Sequence, residues 1–157
     1  PEFYALLARR ENVVAQLAVA SVRIDVVPFE QRYDLMANAH VALASSGTVT
    51  LELSIMEVPM VITYAISRLS YWLARHLLKI RIRHVGLPNI VADMQIVPEF
   101  IQKKADAQLL ANELVDLLQD SVRCERMKSN LRTVKRKLGE SGAIDRAARS
   151  IYTFLQS

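Results

Sequence analysis

Apolar residues along the first third of the chain follow two rhythms. Phe3, Leu6, Leu7, Val14 and Leu17 recur at helical spacing, with Arg9, Arg10 and Glu11 on the other face. This predicts a helix from Phe3 to Leu17. Val22 to Val27 reads as a strand closed by Pro28, and Glu30 to Ala37 as a short helix. Val41 to Ala44 reads as a short buried strand, Val49 to Met56 as a helix and Pro59 to Tyr64 as the next strand. Alternating β and α units predict an α/β fold, a Rossmann-like parallel sheet with flanking helices.

Beyond Tyr64 the pattern changes. Leu69 to Ile80 predicts an aromatic and basic helix, followed by the alternating segment Arg81 to Val85 and a loop at Gly86-Leu87-Pro88-Asn89. Glu99 to Gln102 reads as a short turn of helix. From Ala105 onward the chain reads as helical. Asp106 is the expected N-cap of a helix from Ala107 to Leu118, and helices over Val122 to Leu138 and Ala143 to Leu155 follow, divided by Gly139 and Gly142. No repeat or low-complexity linker interrupts this order. The chain is expected to be one partial domain, a βα part over residues 1–104 and a helical tail over residues 105–157.

Composition narrows the picture. The 157 residues fit one domain, and 52% hydrophobic content excludes a disordered tail. A net charge of +4 permits an acidic partner without requiring one. Cys124 is the single cysteine, which rules out an internal disulfide and fits a reducing compartment. Its helical, charged setting offers no His or Asp partner for a catalytic thiol. No apolar run reaches the roughly 18 residues needed to span a bilayer. The opening Pro1-Glu2-Phe3 has neither an initiator Met nor the basic start of a secretory leader, so a piece of a longer protein is expected.

Candidate chemistry begins at Ser45-Ser46-Gly47-Thr48. A strand that ends in small hydroxylated residues and a Gly, then opens a helix, presents backbone N–H groups at a positive helix end, a site for phosphate or diphosphate. The plain alternative is a strand-to-helix turn with Ser46 or Thr48 as N-cap. The stretch is neither a Walker motif nor a dinucleotide fingerprint. Glu52, one turn later, could accept hydrogen bonds from two ribose hydroxyls, or simply stabilise the helix dipole. Asn89 offers donors and acceptors to a ligand, or caps a helix. Glu99 and Gln102, one helical turn apart, could bind sugar hydroxyls or be solvated. Tyr71, Trp72, Arg75, Lys79, Arg81 and Arg83 combine aromatics with cations. They fit a membrane-surface patch, or a core helix with a basic rim. Nucleic acid ranks last, because no nucleic-acid motif accompanies them. His40, His76 and His84 lack metal-ligand spacing. The charges from Arg123 to Lys137 read as a solvated helix face.

Several segments, in order, resemble the lipid-A-disaccharide synthase family. They are Ser45-Ser46-Gly47-Thr48 with Leu51-Glu52, Val58-Pro59-Met60-Val61 with Tyr64, Tyr71-Trp72-Leu73-Ala74, Leu87-Pro88-Asn89-Ile90, and Val97-Pro98-Glu99-Phe100-Ile101-Gln102. The resemblance covers roughly residues 20 to 105 well and the helical tail weakly.

The resemblance implies the C-terminal half of a GT-B-type glycosyltransferase, with the active site in the cleft between two Rossmann-like domains. The implied reaction transfers 2,3-diacylglucosamine from UDP-2,3-diacylglucosamine to lipid X, giving lipid A disaccharide 1-phosphate and UDP. No metal and no cofactor are implied. The implied location is cytoplasmic, peripheral on the inner membrane of Gram-negative bacteria. By motif, Ser46, Gly47 and Thr48 would hold the UDP diphosphate and Glu52 the ribose, while Asn89, Glu99 and Gln102 would line the donor side of the cleft.

This chain departs from the family pattern in instructive ways. The family's N-terminal domain, expected to carry the general base, and its Gly-Ser-Arg loop are absent from the sequence. Ala65 stands where a basic residue usually follows the Tyr, Arg68 where Pro is common, and Glu57 and Asp93 where Gly is frequent. The expectation is therefore a donor-binding part that is inactive alone and able to self-associate through its tail. The competing expectation is a non-catalytic membrane- or partner-binding module derived from the same fold.

Overall fold

The computed structural model describes residues 3–5, 24–64, 83–101 and 106–156. Strand β1 (Phe3–Ala5) pairs in parallel with β2 (Ile24–Val26), in the register Phe3↔Ile24 and Ala5↔Val26. The expected helix from Phe3 therefore does not begin there. Phe3 and Tyr4 are aromatic strand formers, and pairing with β2 overrides the helical spacing. The rest of that expected helix lies outside the described residues.

Pro28 leads into a 3-10 turn (Phe29–Gln31) and helix α1 (Arg32–Asn38). Next come β3 (Ala42–Ser45), α2 (Val49–Ile55) and β4 (Met60–Tyr64). Helix α3 (Leu87–Ala92) starts inside the stretch expected to be a loop, with Pro88 in its first turn, where proline is tolerated. Glu99 to Ile101 form β5 instead of the expected turn of helix. The carbonyl of Pro98 accepts from Ile62 N–H at 2.9 Å, and pairing with β4 runs on to Tyr64↔Ile101. Three residues are too few to display a period, so the neighbouring strand decides their conformation.

β3, β4 and β5 form a parallel sheet in that order. In central β4, Met60, Val61 and Ile62 are buried, as expected of a parallel strand covered on both faces. Their cover includes the expected tail. Helix α4 (Ala107–Gln119) buries Leu117, and α5 (Ser121–Leu138) buries Met127, Leu131 and Val134 at helical spacing. These side chains share one core with Leu53, Val58 and Val97. The core includes one less common bond, from Met60 N–H to Met127 Sδ at 3.3 Å, which satisfies a buried donor at the start of β4.

The helix ends follow their residues. Asp106 Oδ1 accepts from Gln108 and Leu109 N–H at 2.9 and 3.3 Å, and Asp120 Oδ1 accepts from Arg123 N–H at 2.9 Å. Lys135, Arg136 and Lys137 occupy the last turn of α5, where cations favour the dipole. Helix α6 (Ala143–Leu155) buries none of its residues; Ile144 and Phe154 are 85% and 80% exposed. Glu57 and Asp93 take the left-handed conformation, at φ 61° and 58°. Glycine adopts that conformation at least cost.

Candidate functional site

The site lies at the carboxyl edge of the sheet, where ligands of open α/β sheets gather. β3 ends at Ser45, and Ser46 N–H donates to Thr63 O at 3.0 Å, so the turn after β3 sits beside the end of β4. Gly47 has φ 155°, and among the described residues no atom comes within 4 Å of the position a Cβ would take. The backbone can therefore be approached closely from that side. The first bond of the following turn runs from Thr50 N–H to Gly47 O at 3.1 Å. The N–H groups of Thr48 and Val49 precede it, at the positive end of α2.

Neither expected N-cap acts as one. Thr48 makes no capping hydrogen bond and is exposed. The Ser46 hydroxyl donates to Val85 O at 3.1 Å, tying the turn to the strand of chain before α3. Thr50 is buried, and its hydroxyl donates to Gly47 O at 2.7 Å, fixing the turn from inside. Glu52 lies in the first turn of α2, with Oε2 3.8 Å from Arg32 Nε.

Asn89 and Glu99 are next to this turn but occupied. Asn89 is 0% exposed. Its Nδ2 donates to Val97 O at 2.8 Å and to Glu99 Oε1 at 2.6 Å, and its Oδ1 accepts from Ile96 and Val97 N–H at 2.8 and 2.9 Å. Both donors and both acceptor sites are filled, which leaves no capacity for a ligand. Glu99 accepts in addition from Val85 N–H at 3.0 Å and Gly86 N–H at 2.9 Å. The carboxylate thus clamps the start of α3, where the dipole favours a negative charge. Gly86 is required by close approach: a Cβ there would collide with Ile62 Cδ1 and lie 3.0 Å from Glu99 Oε1.

Ser46, Asn89 and Glu99, far apart in sequence, are therefore joined through Val85, Gly86 and Val97 into one hydrogen-bonded frame behind the turn. Gln102, Tyr71, Trp72, Arg75, Lys79 and Arg81 lie outside the described residues, and Arg83 is exposed.

One residue escaped the sequence reading. Arg32 stacks on the rings of Phe29 and Tyr33, 4.0 and 4.1 Å from their centroids, and faces Glu52. Its signal was the spacing Phe29, Arg32, Tyr33, which places two rings beside one guanidinium.

Comparison with known proteins matches the family model of lipid-A-disaccharide synthetase to residues 4–151. The chain belongs to the lipid-A-disaccharide synthase family. It is similar to the lipid-A-disaccharide synthase of Geobacter metallireducens, 39% identical over 137 residues that make up 87% of this chain and 35% of that protein. The Geobacter sulfurreducens synthase is 42% identical over 136 residues, 86% of this chain and 35% of its own length. The Dechloromonas aromatica synthase is 35% identical over 154 residues, 95% of this chain and 40% of its own. The chain thus spans between about a third and two fifths of these synthases. Membership in the synthase family extends into the helical tail, where the sequence motifs are weak.

Proposed function

We propose that this chain is the donor-binding part of a glycosyltransferase of lipid A biosynthesis. The donor is UDP-2,3-diacylglucosamine, the acceptor lipid X, and the products lipid A disaccharide 1-phosphate and UDP. The observation that carries the reading is the open turn at Ser46-Gly47-Thr48, at the carboxyl edge of a parallel sheet, with Glu52 one helical turn away.

The N–H groups of Thr48 and Val49, with the Thr48 hydroxyl, receive the diphosphate, and the Glu52 carboxylate receives the ribose hydroxyls. Ser46, Asn89 and Glu99 hold that surface in shape from behind. Gln102 completes the donor side. In an inverting transfer, the acceptor hydroxyl needs a base and the departing UDP needs charge stabilisation. This chain supplies the second, by helix dipole and backbone N–H groups. The base comes from another part of the synthase, so the isolated chain does not turn over.

We place the enzyme on the cytoplasmic face of the inner membrane as a peripheral protein. No helix among the described residues is long and apolar enough to cross a membrane. Tyr71, Trp72, Arg75, Lys79, Arg81 and Arg83 supply aromatics and cations suited to a lipid surface. The exposed apolar side of α6 supports self-association through the tail.

Calorimetric titration tests the reading. UDP should bind saturably, and Thr48→Ala and Glu52→Ala should each weaken it. Absence of a UDP response, together with binding to liposomes, would instead favour a module that has lost the chemistry.

A further inference from the structure

The guanidinium of Arg32 is held on nearly every side. The faces of Phe29 and Tyr33 lie 4.0 and 4.1 Å from Cζ. Nη1 donates to Phe29 O at 3.1 Å, and Nη2 donates to Tyr33 Oη at 3.0 Å. Nε lies 3.8 Å from Glu52 Oε2, and a second N–H remains on each of Nη1 and Nη2. A flexible surface arginine would not be gripped by four contacts within its own turn of chain. A planar fork fixed in this way presents one edge in a set direction.

At 3.8 Å the pair is an ion pair without a direct hydrogen bond. The attraction orients the carboxylate but leaves its oxygens able to accept from other donors. The two side chains are 23% and 33% exposed, so a ligand can reach them.

We propose that Arg32 is a positioning residue that holds the Glu52 carboxylate for the two hydroxyls of a ribose. The inference rests on the reading of Glu52 as the ribose partner. Arg32 acts through Glu52 and does not touch the nucleotide. Its effect therefore exists only when both Glu52 and the ribose hydroxyls are present.

The test is a double-mutant cycle read with two ligands. UDP and 2′,3′-dideoxy-UDP are titrated calorimetrically into the wild-type chain, Arg32→Ala, Arg32→Lys, Glu52→Ala and the Arg32→Ala/Glu52→Ala double variant. Circular dichroism confirms that each is folded. The wild type should prefer UDP by about tenfold or more, the scale of a hydrogen bond to a charged group. Arg32→Ala should lower UDP affinity about three- to fivefold, the scale of a partly exposed ion pair, and leave dideoxy-UDP affinity unchanged. Adding Arg32→Ala to Glu52→Ala should change nothing further. Arg32→Lys should restore part of the loss.

Equal weakening of both ligands by Arg32→Ala, or a loss that persists in the Glu52→Ala background, would overturn the inference and put Arg32 on the nucleotide itself. A full preference for UDP in Arg32→Ala would overturn it as well. Failure of the underlying reading looks different: the wild type would then bind both nucleotides equally, and Glu52→Ala would not alter either.

Discussion

Replacing Asn89 with alanine separates a frame residue from a ligand contact. The amide is 0% exposed and makes four hydrogen bonds, to Val97 O, Glu99 Oε1, and the N–H groups of Ile96 and Val97. Each neutral bond contributes about 0.5–1.5 kcal/mol net, and the bond to the carboxylate about 1.5–3 kcal/mol. Truncation also leaves the two N–H groups and the Val97 carbonyl buried without their partner. The contributions overlap, because all four bonds close one loop. A destabilisation of about 3–5 kcal/mol is expected, equivalent to a fall in Tm of about 6–20 °C for a domain of this size.

Urea denaturation followed by circular dichroism measures it. Asn89→Asp is the companion variant. It keeps the shape and the acceptors but loses the Nδ2 donors and sets a carboxylate against Glu99. It should be destabilised at least as much as Asn89→Ala at neutral pH. An unchanged urea midpoint in Asn89→Ala, with weaker UDP binding, would refute the reasoning and put Asn89 on the ligand.

Three further outcomes follow from the packing. Gly86→Ala drives a Cβ into Ile62 Cδ1 and toward Glu99, so a loss of about 1–3 kcal/mol is expected in the same denaturation assay; an unaltered midpoint would contradict the contact. Glu57 is bonded by Arg132 at 2.8 Å, which with Lys135 at 3.3 Å holds its carboxyl below the ordinary range despite partial desolvation. The folded state therefore binds that proton more weakly than the unfolded chain. The stabilisation is present above about pH 4.3 and fades as the pH falls through the lower folded value. Glu57→Gln should cost at most about 1 kcal/mol at neutral pH and converge with the wild type in acid, as denaturation across pH would show. Removing residues 143–157 should leave the midpoint of the remainder within about 0.5 kcal/mol, because α6 buries nothing, and should reduce self-association in sedimentation.

Much of the frame was legible in the chain. β3, β4 and α2 were plain because each segment is long enough to show its period. α4, α5 and α6 carry three or more turns each, with Asp106 marking the start of the first. Glu57 and Asp93, read as departures at positions where glycine is frequent, both prove to be left-handed.

The failures have a common cause. Phe3–Ala5 and Glu99–Ile101 are three-residue strands whose conformation is imposed by a partner strand distant in sequence. The fate of Asn89 was hidden for a similar reason. An asparagine after a proline suits a ligand, a cap or a turn equally, and only the return of Ile96 and Val97 shows which bonds it makes. Arg32 was overlooked because its importance depends on Glu52, twenty residues on, coming to lie beside it.

The central claim is that the turn after β3, with Glu52, holds a uridine diphosphate. Amide chemical-shift mapping of the isotopically labelled chain during UDP titration addresses it most directly. Saturable shifts should concentrate at Gly47, Thr48, Val49 and Glu52, with smaller ones at Val85 and Gly86, which are tied to the turn through Ser46. Saturable shifts confined instead to Gln95, Arg123, Arg126 and Asn130, which line a separate cavity, would contradict it.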